Sequence, residues 1–346
     1  MARTTTRTKQ ASPRGAALPS LPGAVAAPMP RHVEPELSTL VAAAPSGPGW
    51  LHEIKWDGYR ILSQVDHGKV ALYTRRGNDW TDRLPELANA LRNAPIEAAI
   101  FDGELVSLNQ RGASDFQRLQ DALGRSPAHG PRPLVYYAFD LLYLDGFDLR
   151  PVGLARRKAL LADVAARIPP ASSCTVRLIE HVLGQGPAFF AEASRLGLEG
   201  IVCKQTDAPY RSGRSDRWLK VKCLRRQEFV IVGRTDPQGS RSHFGALLLA
   251  TYAGASLVYR GRVGTGFSEA ALRTLHQQLA GLRDSEPHFV DPPSRAEIRD
   301  VHWVKPTLVA EVSFGGFTRD GLIRHATFLG LREDKRASDV ALETPP

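Results

Sequence analysis

The sequence predicts an α+β chain in two folded parts, antiparallel sheets with flanking helices followed by a small β-barrel of the OB type. Three observations carry that expectation. A chain of 346 residues is long enough for two domains, and an apolar share of 42% can fill two cores. Between Trp50 and Cys223, β-like runs alternate with leucine patterns at helical spacing. After Arg225-Arg226-Gln227-Glu228 the texture changes to five or so short β runs and one helix within about a hundred residues.

The elements follow in order. Residues 1–32 hold Arg3, Arg7, Lys9 and Arg14 among Ala, Pro, Ser and Thr, and read as a disordered basic leader. Their repeated prolines argue against the amphipathic helix of a transit peptide. The first domain is expected over 33–225, opening with an entry segment punctuated by Pro35, Gly47, Pro48 and Gly49. Trp50 to Lys55 reads as a strand, and Tyr59 to Asp66 pairs with Val70 to Thr74 across a His67-Gly68 turn. Residues 84–93 are helical, Ala98 to Val106 a strand, Phe116 to Leu123 a short helix, and Leu134 to Leu144 a buried strand. Helices over 154–167 and 187–197 and strands over Gly200 to Lys204 and Trp218 to Cys223 complete this part. The second domain, 226–336, has β runs at Phe229 to Arg234, Ala246 to Tyr252 and Ser256 to Val263, a helix over 269–282 and strands near 307–314. Residues 337–346 are expected as a tail.

The net charge of +9 favours a polyanionic partner such as nucleic acid. Cys174, Cys203 and Cys223 lack C-x-x-C spacing, which excludes a disulfide framework and a cysteine zinc site and fits a reducing cytoplasm. No apolar run reaches the roughly 18 residues of a membrane span.

Chemistry concentrates in Glu53-Ile54-Lys55-Trp56-Asp57-Gly58-Tyr59-Arg60, which sets one lysine in an apolar frame before an Asp-Gly turn. A lysine held in poorly solvated surroundings near other cations loses its proton more readily and can act as a nucleophile. Taken alone, the stretch also fits a surface lysine beside a turn. Four further clusters give it partners. Asp102 and Glu104 share one face of a strand, and Glu199 stands at a helix-to-strand junction; two such acids make a hard-oxygen site suited to Mg²⁺. Lys220 and Lys222 also share a face, with Leu219 and Val221 turned into a core. Paired lysines there call for anions, and beside Lys55 they would both hold a phosphate and lower the Lys55 pKa. Arg332 and Lys335 follow near the end of the second domain.

In this order the clusters resemble the ligase domain of LigD-type bacterial ATP-dependent DNA ligases of non-homologous end joining, within the covalent nucleotidyltransferase superfamily. The likeness runs from Val33 to Arg336. It rests on His52 to Arg60, Thr74 to Thr81, Phe101 to Glu104, Ala138 to Leu142, Gly197 to Lys204, Tyr210 to Lys222, Gly261 to Phe267 and Leu331 to Lys335. The resemblance implies an adenylation domain followed by an OB-fold, with ATP as AMP donor and Mg²⁺ or Mn²⁺ as cofactor. Lys55 would form lysyl-AMP, and Arg60 and Arg75 would contact AMP or the 5′-phosphate of a nick. Glu104 would hold the ribose or metal and Glu199 the metal. Phe139 would stack on adenine, with Glu53 and Ile54 lining the adenine site. Lys220 and Lys222 would bind the α-phosphate, Lys204 would reach the same pocket, and Arg332 and Lys335 would grip departing pyrophosphate. Nicked or broken duplex DNA is the implied substrate, bacterial Ku a family-level partner, and a monomer at the nucleoid the implied state. An RNA ligase or other nucleotidyltransferase of the superfamily, or a non-catalytic DNA-binding module, are the alternatives. Gly315-Gly316-Phe317-Thr318, Cys203 and Ala155 depart from the family pattern without touching a proposed chemical group.

Overall fold

The computed structural model describes residues 18–123, 133–169, 174–223, 226–237, 243–285, 287, 289–290, 292–294, 297–298 and 300–343. Two sheets build the first domain. The larger runs in the order Val25–Ala26, Phe147–Asp148, Leu134–Leu144, Ala98–Ser107, Tyr59–Asp66 and Lys69–Thr74, with Cys174–Leu178 parallel to Leu134–Leu144. The smaller has the order Val182–Gly184, Gly47–Ile54, Gly200–Gln205, Gly213–Lys222 and Glu36–Leu40. Phe139, Leu142 and Ile100 of the larger sheet join Trp218 of the smaller in one buried cluster, so the two sheets face one another across it. Helices Pro85–Arg92, Phe116–Leu123 and Leu154–Ala165 cover the outer face of the larger sheet, and Gly186–Arg195 covers that of the smaller.

The expected β-hairpin forms with His67 (φ 49°) and Gly68 (φ 83°) at its turn. The chain crosses from the smaller sheet to the larger at Lys55 to Gly58, so Lys55 stands where the sheets meet. Gly58 is required there by proximity, because a Cβ would lie 2.1 Å from the Leu105 carbonyl oxygen of a central strand.

The second domain is one six-stranded sheet: Ser256–Val263, Leu247–Ala253, Arg226–Thr235, Val309–Ser313 and Thr327–Leu331, with Val301–Trp303 beside Arg226–Thr235. Its ends approach each other, since the Phe328 N–H donates to the Thr265 carbonyl (2.9 Å) and the Thr265 hydroxyl to the Ala326 carbonyl (2.9 Å). Helix Glu269–Ala280, capped by the Ser268 side chain, closes the barrel-like core around Phe229, Leu249 and Phe328.

Some segments differ from the sequence reading. Residues 1–17 of the leader, Arg225 and residues 344–346 lie outside the described residues. Residues 18–32 are not a free leader: Leu18 is buried in the first core and Val25–Ala26 pairs with Phe147–Asp148. The entry segment contributes the edge strand Glu36–Leu40, and Thr327–Leu331 adds a strand that the glycine-bearing TFLGL run concealed. Ala337 and Val340 are buried against the second domain, where the Tyr252 N–H donates to the Val340 carbonyl (2.7 Å).

Asp140, beside Phe139 on the central strand, is fully buried and holds Arg157 through two hydrogen bonds of 2.7 and 2.8 Å. Arg157 also donates to the carbonyls of Val152 and Ala208, tying helix Leu154–Ala165 to the sheet. Asp140→Ala strands a buried guanidinium and is expected to cost about 3–5 kcal/mol, read from the urea midpoint. A change below about 1 kcal/mol contradicts that structural role.

Candidate active site

Strand alternation assembles the site. On Gly47–Ile54, Glu53 faces the space between the sheets and Lys55 follows two residues on. Their neighbours in register on Gly200–Gln205 and Gly213–Lys222 bring Val202, Lys204, Trp218, Lys220 and Lys222 to the same side. Ile201, Cys203, Leu219 and Val221 turn to the opposite core, as expected for the lysine strand, and Cys203 suits that apolar position. The resulting cavity, of about 820 Å³, is lined by all thirteen residues given a role by the resemblance, from Glu53 to Lys335, whereas Asp102 is buried outside it against Arg60.

At its centre the Lys55 ammonium lies 2.5 Å from Glu199 Oε1. Burial works against the lysine charge, but the Glu199 carboxylate outweighs it, with help from Asp57 and Glu104, and the ammonium is held well above the ordinary lysine value. This corrects the expectation that Lys220 and Lys222 would leave Lys55 easily deprotonated. In the ligand-free cavity the nearest charges are acids, and those acids dominate.

The acids are themselves poised. Burial raises the Glu104 pKa to about 7, with Lys55 opposing. Glu199 keeps its second oxygen, Oε2, buried with no hydrogen-bond partner. Asp57 pairs with Arg226 at 2.5 Å. Among the described residues no trio of His, Cys, Asp or Glu forms a metal site. An orphaned buried carboxylate oxygen beside a second acid nonetheless fits a hard divalent cation that takes its remaining ligands from a phosphate substrate.

The second domain closes the cavity. Arg332 is held by both oxygens of Asp334 (2.9 Å each) and reaches Glu311 (3.4 Å), while its guanidinium rests 5.0 Å from the Phe116 ring and 5.7 Å from the Tyr59 ring of the first domain. Lys335 pairs with Glu228 at 2.8 Å. Gln120 donates to the Leu331 carbonyl (2.5 Å) and Arg83 pairs with Glu333 (2.9 Å), so the Leu331 to Lys335 turn is held against the first domain.

Phe139, Trp218 and Tyr210 form edge-to-face contacts at one end, with the Lys204 ammonium 4.3 Å from the Phe139 ring and 4.0 Å from the Trp218 ring. Arg60 lines the cavity, but its donors are engaged by Asp102 (2.8 and 2.5 Å), the Glu36 carbonyl (2.6 Å) and Tyr210. Arg75 makes no ion pair among the described residues, and burial followed by the nearby Arg60 lowers its pKa.

Sequence reasoning missed Glu343. Its two oxygens lie 2.7 Å from the Lys220 and Lys222 ammonium groups, one each. The segment is fixed by hydrogen bonds between Gln227 and both the Ala341 carbonyl and the Glu343 N–H (3.2 Å each), and by Asp339 against Arg76. A carboxylate therefore sits on the two lysines that the sequence had assigned to phosphate. Burial depresses Lys220 to about 8, whereas Glu343, opposed by its own burial but held by both lysines, falls to about 2.

Residues 34–222 match the model of the ATP dependent DNA ligase domain, and residues 240–335 match that of the ATP dependent DNA ligase C terminal region. The chain belongs to the ATP-dependent DNA ligase family. It is 44% identical over 322 residues to the multifunctional non-homologous end joining protein LigD of Pseudomonas aeruginosa, covering 92% of this chain and 37% of that protein. Against the multifunctional non-homologous end joining DNA repair protein LigD of Mycobacterium tuberculosis (strain H37Rv) the identity is 38% over 296 residues, covering 85% and 37%. The chain thus spans little more than a third of these relatives. A solved structure of mycobacterial DNA ligase D complexed with ATP and MES superposes with a TM-score of 0.67 at 35% identity, covering 90% of this chain and 98% of that one. The two-part ligase architecture inferred from the motifs therefore holds, adenylation domain first and C-terminal ligase region second.

Two buried acids give the site a pH signature. Glu104 (about 7) and Glu311 (raised by burial and Glu228 to about 8) ionise at higher pH in the folded chain than when unfolded. Their contribution is complete below the unfolded carboxyl value of about 4.3 and is lost as pH rises through 7 to 8. Nucleotide-free protein is expected to lose stability over that interval, and Glu104→Gln with Glu311→Gln to flatten the loss in urea titrations. An unchanged slope in the double variant refutes the assignment.

Proposed function

We propose that this chain seals breaks in duplex DNA, using ATP to load AMP onto Lys55. The observation that carries the reading is the convergence, on one cavity, of Lys55 with the Lys220–Lys222 pair from its own domain and Arg332 and Lys335 from the other. A lysine nucleophile needs cations on the phosphate it attacks and on the group that leaves, and one cavity supplies both.

In this reading the nucleoside lies toward Phe139, Trp218 and Glu53, and the α-phosphate displaces Glu343 from Lys220 and Lys222. Glu104 and Glu199 would hold Mg²⁺ or Mn²⁺, which would neutralise phosphate charge and draw the Glu199 field away from Lys55. Lys55 then loses its proton, and its Nζ attacks the α-phosphorus. An N–P bond forms, the bond to the bridging oxygen breaks, and pyrophosphate leaves toward Arg332 and Lys335. These cations exchange the carboxylates that hold them for the departing charge. The second domain then swings away to admit DNA, and a 5′-phosphate oxygen displaces Lys55 from the AMP phosphorus. Finally the neighbouring 3′-hydroxyl attacks that 5′-phosphate and AMP departs, leaving a phosphodiester. The net charge of +9 supplies sequence-independent, salt-sensitive attraction for the duplex.

The named relatives are non-homologous end joining proteins, which supports repair of double-strand breaks as the setting, with bacterial Ku as the partner to test. Three free cysteines fit the reducing cytoplasm, where the nucleoid lies.

Lys55→Ala is expected to abolish the covalent AMP adduct from labelled ATP and divalent metal, and the sealing of nicked DNA with it. Labelling of the variant at wild-type level assigns the nucleophile elsewhere. Nicked RNA and GTP in parallel separate an RNA ligase or GTP-using relative, and DNA retention in a gel without adenylation marks a binding module. Glu343→Gln removes the anion that ATP must displace, so the apparent KM for ATP in adenylation is expected to fall about three- to tenfold. A KM unchanged or raised shows that Glu343 does not compete with the nucleotide.

A further inference from the structure

Behind the nucleoside end of the cavity lies a buried cluster that the sequence did not announce. The Glu53 carboxylate is 2% exposed and is gripped at both oxygens, Oε1 by the Lys158 ammonium and Oε2 by that of Lys204 at 2.6 Å. Lys158 also donates to the Ile179 carbonyl at 3.2 Å. Glu53, Ile179 and Lys204 line the cavity, whereas Lys158 stands in helix Leu154–Ala165 behind them, 3% exposed.

Two ammonium groups on one carboxylate leave this cluster with a net positive charge in a dry place, an expensive arrangement where packing alone is the aim. Lys204 has a second use, its charge resting on the Phe139 and Trp218 rings. Lys158 has none among the described residues, where its partners are Glu53 and the Ile179 carbonyl. Its effect is on Glu53, which it keeps ionised and fixed in one orientation. An ionised carboxylate is acceptor only, with about four lone-pair positions, two of them here unused. It can receive the amino group of a base, but an oxo group at the same place sets lone pair against lone pair. A carboxyl free to protonate or rotate would accept either.

We propose that Lys158 is a positioning residue that holds Glu53 as a fixed anionic acceptor and so makes the cavity discriminate 6-amino from 6-oxo purine nucleotides. The inference rests on the nucleotidyl-transfer reading and adds to it the origin of base selection.

The test compares self-adenylation by ATP with self-inosinylation by ITP, which differs at that ring position, in the intact chain. Lys158→Met keeps the aliphatic stem and removes the charge. KM for ATP is expected to rise about tenfold with kcat little changed, and the ATP-to-ITP ratio of kcat/KM to fall by at least about tenfold. Lys158→Arg is expected to recover most of the ratio. A folded Lys158→Met protein that loses both nucleotides in equal proportion, its ratio unaltered, overturns the proposal. Should Lys158→Met fail to fold, Lys158→Met with Glu53→Gln removes one charge of each sign and presents an amide that can turn either end to the base. Its ratio is expected to approach one, and retention of the wild-type ratio is equally fatal. Wild-type protein that takes label from neither nucleotide sinks the functional reading instead, so the two failures are distinguishable.

Discussion

Lys55, the proposed nucleophile, is held 2.5 Å from the buried Glu199 carboxylate, and much of the cavity's charge is arranged around that pair. The Lys55–Glu199 pair satisfies both charges in a place where neither could stand alone. It also keeps the lysine unreactive until something with stronger claims on Glu199 arrives. Most other cations in the cavity obey the same rule, Arg75 being an exception among the described residues. Lys220 and Lys222 share Glu343, Lys335 has Glu228, Arg226 has Asp57, and Arg332 has Asp334 and Glu311. The resting site is thus largely a set of ion pairs in which cations are matched with acids of the same chain. In the proposed reaction, chemistry begins when phosphate replaces those acids.

The fold makes these matches possible because the chain changes sheets at Lys55. Gly47–Ile54 belongs to one sheet and Tyr59–Asp66 to the other, and Gly58 lets the connection pass against Leu105. Lys55 is thereby placed at a seam, with acids from both sheets around it: Glu104 from one, Glu199 at the margin of the other. The second domain contributes through a turn rather than a strand, which carries Arg332 over Tyr59 and Phe116 without a large apolar contact.

Much of this was legible in the sequence, for identifiable reasons. Period-two alternation placed Lys220 and Lys222 on one face and Leu219 and Val221 on the other, because strand geometry leaves no other choice. The Asp-Gly after Lys55 announced the turn. What escaped were pairings between segments distant in sequence that only the fold brings together. Glu199 meets Lys55 across 144 positions, and Lys158 meets Glu53 across 105. Lys158 looked like any lysine of an amphipathic helix, since nothing in its neighbours reveals a carboxylate behind the sheet. Glu343 was assigned to a tail because a short polar run gives no periodicity, while its anchors are backbone hydrogen bonds. Residues 18–32 were misread through their prolines, which do not prevent a two-residue strand from pairing at a sheet edge.

Ion pairs form a large part of the wall between the domains, beside the Tyr59 and Phe116 rings. Apolar walls, once joined, resist parting because water must re-enter against the hydrophobic effect. Charged walls are rehydrated readily, and their attraction weakens as soon as salt or a polyanion offers other partners. For the proposed reaction, in which the second domain swings away to admit DNA, such a seam closes firmly enough to order the site and releases without a large energetic debt.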